Sequence, residues 1–338
     1  MKLIRETSPY IRKEANVSRM MLDVLIALTP IVLFAVYQFG FRVLLTVGLS
    51  VIVMIFSEII FIKYISKKKI TINNYLIPAI SGTIYALLMP YNINLYVLIV
   101  GALFGIWIGK LFFGGTGSNI VNPAGIGRCF VMIAYGRTLQ YNHPELSTGA
   151  TPLTSIKEIG LNNFNEALNK NSLLDLFIGN VDGSIGEVCK ILILISGIYL
   201  FVRKSADLRT FLSALISFTL FSFIAGIVLK VNAIDFTLFQ LLTGGFLFGA
   251  VFMITDPVTT PITARGRILY GILVSGLSLL IRFFGAYPEG MVFAICLINL
   301  AVPLIDYYKL SNSKYTVKYG IFTTIVTLFF IVVIVLGL

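Results

Sequence analysis

The chain alternates between long apolar runs and shorter polar segments. A membrane-spanning helix needs about 20 mostly apolar residues, and runs that approach this length recur along the whole sequence. They cover residues 21–40, 43–62, 75–90, 94–113, 120–136, 187–202, 210–229, 238–255, 268–284, 289–305 and 317–337. The pattern predicts an all-α polytopic membrane protein with about ten to eleven transmembrane helices.

Composition supports this class of protein. The chain is 57% hydrophobic and 12% charged, with a mean hydropathy of +0.93, whereas soluble domains carry about 25% charged residues. The first 20 residues are basic and contain neither an apolar core nor a small-residue cleavage site, so no signal peptide is expected. The net charge of +11 follows the membrane topology, and no nucleic-acid partner is expected.

The distribution of Lys and Arg predicts an orientation. Most of the 26 basic residues fall on one side if the N-terminus is cytoplasmic, because loops rich in Lys and Arg stay inside. The acidic segment 137–187 is then extracytoplasmic. We expect a cytoplasmic segment 1–20, a first five-helix half 21–136, the loop 137–187, a second half 188–306, and a linker with an extra helix at 307–338.

Five runs on each side of the loop suggest an inverted repeat. An odd number of spans per half gives the two halves opposite orientations, which is the arrangement of many transporters. No clear sequence repeat joins the halves, so the prediction is architectural. The expected core is therefore a 5+5 bundle, with the last helix as an addition.

Two turns combine helix-breaking and polar residues. The first contains GGTGSN at 114–119 and then Asn122 before Pro123, and the second is TDPVTTP at 255–261. Irregular backbone at membrane depth is tolerated where it is buried or lines a cavity, and such breaks are typical of ion sites. We expect the turns to meet. Asp256, Thr259, Thr260 and Asn122 are candidates for an ion pathway, and a structural turn is the alternative.

Ionisable groups inside apolar runs are the other candidates. A charge in the bilayer is costly, so such groups are functional candidates by default. Glu58 is the strongest, as a pathway carboxylate. Asp23 is expected to reach water near the end of its run, and Arg282 to extend to the interface. With one His and three separated Cys residues, no metal centre is expected.

Several segments resemble one membrane family. The long polar loop contains the string STGAT at 147–151. Within it, TGAT at 148–151 resembles the flavinylation motif D-x-x-[ST]-G-A-[TS], and Glu145 stands in the place of the Asp. The other matching segments are SPYIR (8–12), DVLIAL (23–28), NPAGIGR (122–128), TDPVTTP (255–261) with Gly266 and Arg267, IRFFGAYPEG (281–290) and VPLID (302–306). The family contains the D subunits of Rnf ferredoxin:NAD oxidoreductases and the B subunits of sodium-pumping NADH:quinone oxidoreductases.

The resemblance implies a function and a cofactor. It implies a fold similar to urea transporters and a subunit that moves electrons across the cell membrane, coupled to Na⁺ or H⁺ translocation. FMN would be attached to Thr151 as a phosphoester, with Thr148, Gly149 and Ala150 as recognition residues. A second, non-covalent flavin such as riboflavin is possible within the family.

The resemblance also implies partners. These are Rnf subunits A, B, C, E and G, membrane lipid and a flavin transferase. A component of the NADH:quinone oxidoreductase type and a non-redox solute channel are the alternatives.

Overall fold

The structure is a computed structural model that describes residues 17–136, 152–160, 164, 172–179, 181, 183–187, 189–287, 289–307 and 315–338. The first half contains five helices. They are α1 (Val17–Phe39), α2 (Arg42–Ile60, continued by a π-helical segment Phe61–Ser66), α3 (Asn73–Leu87), α4 (Leu95–Gly109) and α5 (Pro123–Ala134). This order and these positions agree with the first five apolar runs.

The segment between the halves also contains helices. Two short ones are described, α6 (Pro152–Ile159) and α7 (Leu173–Ile178). Before the second half, Ile185 N donates to Met89 O over 3.0 Å and Gly186 N donates to Leu87 O over 2.7 Å. The end of the loop is thereby fixed to the end of α3.

The second half begins at Lys190. Its helices are α8 (Lys190–Arg203), α9 (Leu208–Val228), α10 (Ala233–Leu242), α11 (Phe246–Phe248, continued by a π-helical segment Gly249–Met253), α12 (Ala264–Phe284) and α13 (Met291–Tyr307). The additional helix α14 (Val317–Gly337) follows. The described residues therefore form an all-helical membrane protein, as the apolar pattern predicts.

The described helices differ in their capacity to span a bilayer. By length and composition, α1, α2, α9, α12 and α14 can each cross a membrane, and so can α4 together with the 3₁₀-helical segment Leu111–Phe113 that continues it. A seventh span results if α10 and α11 are taken together. The helices α5 and α13 are apolar but shorter, and α3 and α8 have 15 and 14 residues. The expected total of ten to eleven spans counts these shorter helices as spans, and it stays a prediction.

The apolar run at 238–255 is not one continuous helix. α10 begins earlier, at Ala233, and meets α11 at an angle of 62°. Gly244 lies at the bend with φ +66°, a left-handed conformation that costs a residue with a Cβ atom about 1–2 kcal/mol. The Gly-Gly pair therefore divides this run into two helices.

Helix packing repeats between the halves. The second helix packs on the third and fourth helices in both halves, as α2 on α3 and α4 and as α9 on α10 and α12. The fourth packs on the fifth in both, as α4 on α5 and α12 on α13. The first helices, α1 and α8, contact each other, as do the fifth, α5 and α13. A two-fold repeat of five helices would produce this pairing. The boundaries given above for the two halves, the loop and the extra helix stay predictions.

Candidate functional site

The turn between α4 and α5 is built from glycines and one amide. Gly114, Gly115 and Gly117 have φ values of +111°, +90° and +88°, a region that glycine enters readily. Asn122 then begins α5, because its side-chain oxygen accepts from Ala124 N at 3.0 Å and Gly125 N at 3.2 Å. The Asn-Pro pair is thus an N-cap followed by a proline in the first turn.

The turn between α11 and α12 is organised by Asp256. One carboxylate oxygen accepts from Val258 N at 3.2 Å, and the other accepts from the Thr259 hydroxyl at 3.2 Å. The Thr260 hydroxyl donates to the Asp256 carbonyl at 2.8 Å. Asp256 therefore holds its own turn in shape. Arg267, at the start of the following helix, pairs with the carboxylate of Asp207.

A buried ion pair lies between the two turns. The ammonium group of Lys110, at the end of α4, is 2.9 Å from Glu58 Oε2, and both side chains have no exposed surface. The Thr116 hydroxyl donates to Glu58 Oε1 at 2.7 Å. Lys110 also interacts electrostatically with Asp256. Lys110 is therefore held by α2 at the entrance to the first turn, and its charge also acts on Asp256 of the second turn.

Further contacts join the same region. With the Asn299 amide in the orientation that satisfies both of its groups, its oxygen accepts from Asn122 N at 3.2 Å and its nitrogen donates to Tyr270 at 2.6 Å. A Cβ atom on Gly125 would lie 3.2 Å from the terminal methyl group of Met253. The start of α5 thus packs directly against the end of α11 and against α13.

The structure changes the expectation for two of the ionisable groups in the first half. Glu58 is a buried carboxylate as predicted, but Lys110 neutralises it. Asp23 does not reach water, because it is 4% exposed and accepts from Ser205 Oγ at 2.6 Å and from Arg203 Nη2 at 3.1 Å. Each partner lies on a sequence-distant helix or loop, so the apolar pattern alone could not identify it.

Arg282 also differs from the expectation of an interfacial side chain. It is 3% exposed, and its Nη1 donates to the carbonyl of Gln240 at 2.6 Å and to the Gln240 side chain at 2.8 Å. The end of α10 at the bend supplies these acceptors. The guanidinium is therefore held inside the protein by the broken helix.

A second buried charge cluster surrounds the α10–α11 bend. It includes Arg282 in the last turn of α12, whereas the second turn described above precedes the first turn of that helix. Glu187, Lys190, Arg282 and Glu289 are all buried there. Lys190 donates to the carbonyls of Glu187 and Gly244. A Cβ atom on Gly245 would collide with Glu187 Oε1, so a larger residue there would force the Glu187 carboxyl group to move. Burial raises the pKa of Glu187.

The short helix α6 docks onto this cluster. Leu153 and Ile156 are 3% and 2% exposed, and a Cβ atom on Gly244 would lie 2.6 Å from Leu153 Cδ1. The Lys157 ammonium donates to the carbonyls of Gly285 and Tyr287, the latter at 2.7 Å. Partial burial, with Arg282 nearby, lowers the pKa of Lys157. One apolar face and one cation thus fix α6 beside the α12–α13 loop.

The expected flavin residues adjoin this helix in sequence. Thr148, Gly149, Ala150 and Thr151 lie outside the described residues, and α6 begins at Pro152, directly after Thr151. Among the described residues, no group of three or more His, Cys, Asp or Glu side chains could hold a metal ion.

Comparison with known proteins identifies the family. The sequence model of the NQR2, RnfD, RnfE family matches residues 4–314. The chain is 33% identical over 312 residues to the D subunit of the Na(+)-translocating ferredoxin:NAD(+) oxidoreductase complex of Acetobacterium woodii, covering 90% of this chain and 93% of that protein. It is 32% identical over 308 residues to the proton-translocating counterpart of Clostridium ljungdahlii, covering 89% and 92%.

A second group of relatives is shorter in overlap. The chain is 37% identical over 243 residues to the B subunit of the Na(+)-translocating NADH-quinone reductase of Klebsiella pneumoniae, covering 68% of this chain and 58% of that protein. The matches to both groups agree with the motifs in the sequence and with the helical membrane fold. The chain belongs to the NQR2, RnfD, RnfE family.

Proposed function

We propose that the chain is the D subunit of an ion-translocating ferredoxin:NAD oxidoreductase of the Rnf type. The overlap with the two D subunits extends over about nine-tenths of both partners, at 90% and 93% for the first and 89% and 92% for the second. The relatives named as B subunits of NADH-quinone reductases are matched over less of their length. The protein is a translocase and oxidoreductase subunit that is catalytic only as part of the complex.

The chain carries FMN covalently on Thr151 as a phosphoester. The observation that supports this is the docking of α6, which begins one residue later and is fixed through Leu153, Ile156 and Lys157. A rigid helix directly after the attachment residue would limit the positions open to the flavin. When bound, the flavin supplies a station for electron transfer.

The docking site is chemically suited to a phosphate diester. The diester would lie at the N-terminus of α6, where backbone N–H groups and the helix dipole favour negative charge. Lys190 and Arg282 add two cations beside Gly244, which Leu153 of the first turn of α6 contacts, against the two carboxyl groups of Glu187 and Glu289. Lys157 adds a third cation in the last turn of α6. Thr148, Gly149 and Ala150 form the recognition string for a flavin transferase, and Glu145 supplies the carboxylate.

The chain also contributes to the ion path. The group of Glu58, Lys110 and Asp256 joins the two broken segments of the bundle, with Asn122, Thr259 and Thr260 as further oxygen-bearing residues. A cation that competes with Lys110 for these carboxylates would find oxygen ligands there. In this role the chain keeps the carboxylates of Glu58 and Asp256 neutralised, by Lys110 or by the cation that passes.

The location and partners follow from the same assignment. The chain is a multi-pass protein of the cell membrane with a cytoplasmic N-terminus and an extracytoplasmic flavin loop, assembled with Rnf subunits A, B, C, E and G. A second, non-covalent flavin such as riboflavin belongs to the same proposal. Two alternatives are a B-type component of a sodium-pumping NADH:quinone oxidoreductase and a solute channel without redox function.

One experiment separates a flavoprotein from a channel. The chain is purified from cells that contain the other subunits and the flavin transferase, denatured in detergent and run on a gel under ultraviolet light. Only a covalent flavin survives denaturation, so a fluorescent band at the mass of this chain supports the proposal. A dark band from such cells would contradict it and would favour the channel.

A further inference from the structure

A small pocket lies at the ends of three helices. It has a volume of about 110 Å³, and its walls come from the start of α12, the end of α13 and the start of α14. The lining residues are Arg265, Gly266, Leu269, Ile305, Lys318, Tyr319 and Phe322. One water molecule needs only about 10–15 Å³ of such space, so the pocket has room for a larger group.

The pocket contains an unsatisfied buried cation. Arg265 is 3% exposed, and its Nε and Nη2 atoms have no hydrogen-bond partner within the described part of the chain. The rings of Tyr315 and Tyr319 lie 5.9 Å and 5.6 Å from the guanidinium. Cation–π contacts of this kind stabilise the charge, but they leave N–H donors without acceptors, and such donors are costly to bury.

The neighbouring carboxylates are engaged elsewhere. Asp306 accepts from Ile262 N at 3.0 Å and faces the Thr263 hydroxyl at 3.4 Å, and Asp207 pairs with Arg267. Among the described residues, no ion pair involves Arg265. Lys318, which is exposed, adds a second positive charge to the same wall. The pocket therefore lacks a negative charge that its cations require.

The remaining wall is apolar and faces the surroundings of the helix bundle. Leu269, Ile305 and Phe322 line it, and Phe322 is 51% exposed. Only 11% of the most apolar window of α14 is buried, so most of this apolar helix lies exposed on the surface of the chain. A polar end with two cations above an apolar wall matches the headgroup and upper acyl chain of a phospholipid.

We propose that this pocket binds the headgroup phosphate of an anionic phospholipid from the adjacent leaflet. Arg265 offers Nε and Nη2 to the phosphate oxygens in the forked geometry that guanidinium groups favour, and Lys318 supplies the second charge. Three of the lining residues belong to α14, which begins after the family match ends at residue 314. The lipid thus fastens the additional helix to α12 and α13.

Native mass spectrometry of the purified complex tests this proposal. The complex is delipidated and titrated with phosphatidylglycerol, with phosphatidylcholine or with inorganic phosphate. The wild-type chain should retain one phosphatidylglycerol more than Arg265→Gln, and Lys318→Gln should weaken this binding by about fivefold, as one basic residue near an anionic headgroup predicts. Arg209→Gln, which removes an exposed charge at the start of α9, is the matched control and should bind as wild type.

The two sources of phosphate give different results. Retention of phosphatidylglycerol in the presence of millimolar inorganic phosphate, without equal retention of phosphatidylcholine, supports the lipid. Displacement by inorganic phosphate would overturn the lipid assignment. Equal lipid retention by wild type and Lys318→Gln would overturn the pocket itself, and this exposed substitution leaves the buried core intact even if Arg265→Gln fails to fold.

Discussion

Lys110 Nζ lies 2.9 Å from Glu58 Oε2, with both side chains fully shielded from solvent. A buried ion pair gains little stability over apolar residues of equal size, because both charges lose their hydration. Removing one partner is far more costly, since the other charge is left unpaired. This pair at the meeting point of two broken segments is therefore expected to be sensitive to single substitutions and tolerant of a paired one.

The substitution Lys110→Met should destabilise the protein by about 3–5 kcal/mol. The double substitution Lys110→Met with Glu58→Gln should recover most of this loss, because neither member of the Glu58–Lys110 pair is then left as an unpaired charge. Denaturant unfolding in detergent measures both. Lys69→Met, at an exposed loop position, should be neutral, and a double variant as unstable as Lys110→Met would contradict the ion-pair explanation.

Asp256→Asn should lower ion transport without unfolding the turn. An amide oxygen still accepts from Val258 N, while the negative charge facing Lys110 is lost. Ion uptake by proteoliposomes containing the complex is measured beside flavin content and complex assembly. Asp235→Asn, at the start of α10, is the control. Unchanged transport by Asp256→Asn would return the turn to a purely structural role.

Gly244→Ala should weaken the docking of α6 and reduce flavin content. The new Cβ atom would lie 2.6 Å from Leu153 Cδ1. In addition, the left-handed backbone at this position, with φ +66°, costs a residue with a Cβ atom about 1–2 kcal/mol. Gly48→Ala is the matched control, because no atom lies within 4 Å of its Cβ position and it is inside α2. Flavin fluorescence per mole of protein reports the difference. Equal fluorescence in both variants would show that the docking of α6 does not affect the flavin content.

The loop orientation is tested by a single cysteine. In a background without Cys129, Cys189 and Cys296, Asn163→Cys should react with a membrane-impermeant thiol reagent in intact cells. The reason is the excess of Lys and Arg on the opposite side of the membrane. A cysteine in place of Lys68, in the α2–α3 loop, should react only after lysis. The reverse result would invert the topology.

The helices can be predicted from the sequence because apolar runs report directly on membrane burial. The apolar pattern does not predict the bend at Gly244, although the Gly-Gly pair in the run 238–255 is a visible signal for it. The pairing of Glu58 with Lys110 cannot be predicted, since the two residues are 52 positions apart and are joined only by helix packing. The prediction for Arg282 is wrong for the same reason, because its acceptors lie on α10.

The two candidate turns illustrate both outcomes. Asn122 before Pro123 and Asp256 before Pro257 are local signals of caps and turns, and each side chain accepts a hydrogen bond from a backbone N–H two residues later. The approach of the two broken segments is expected from the cost of exposing irregular backbone to lipid, and the start of α5 does pack against the end of α11. The docking of α6 through Lys157 is not expected from the sequence, because the Lys157 ammonium donates to backbone carbonyls, which no residue pattern reveals.

Mass analysis of the peptide that contains Thr151 tests the central proposal most directly. The wild-type chain, produced with its complex and its flavin transferase, should yield this peptide with FMN attached through phosphate at Thr151. Thr148→Ala should retain part of the modification, and Thr151→Ala should lose all of it while the chain remains in the membrane. An unmodified wild-type peptide, or FMN still attached in Thr151→Ala, would contradict the account.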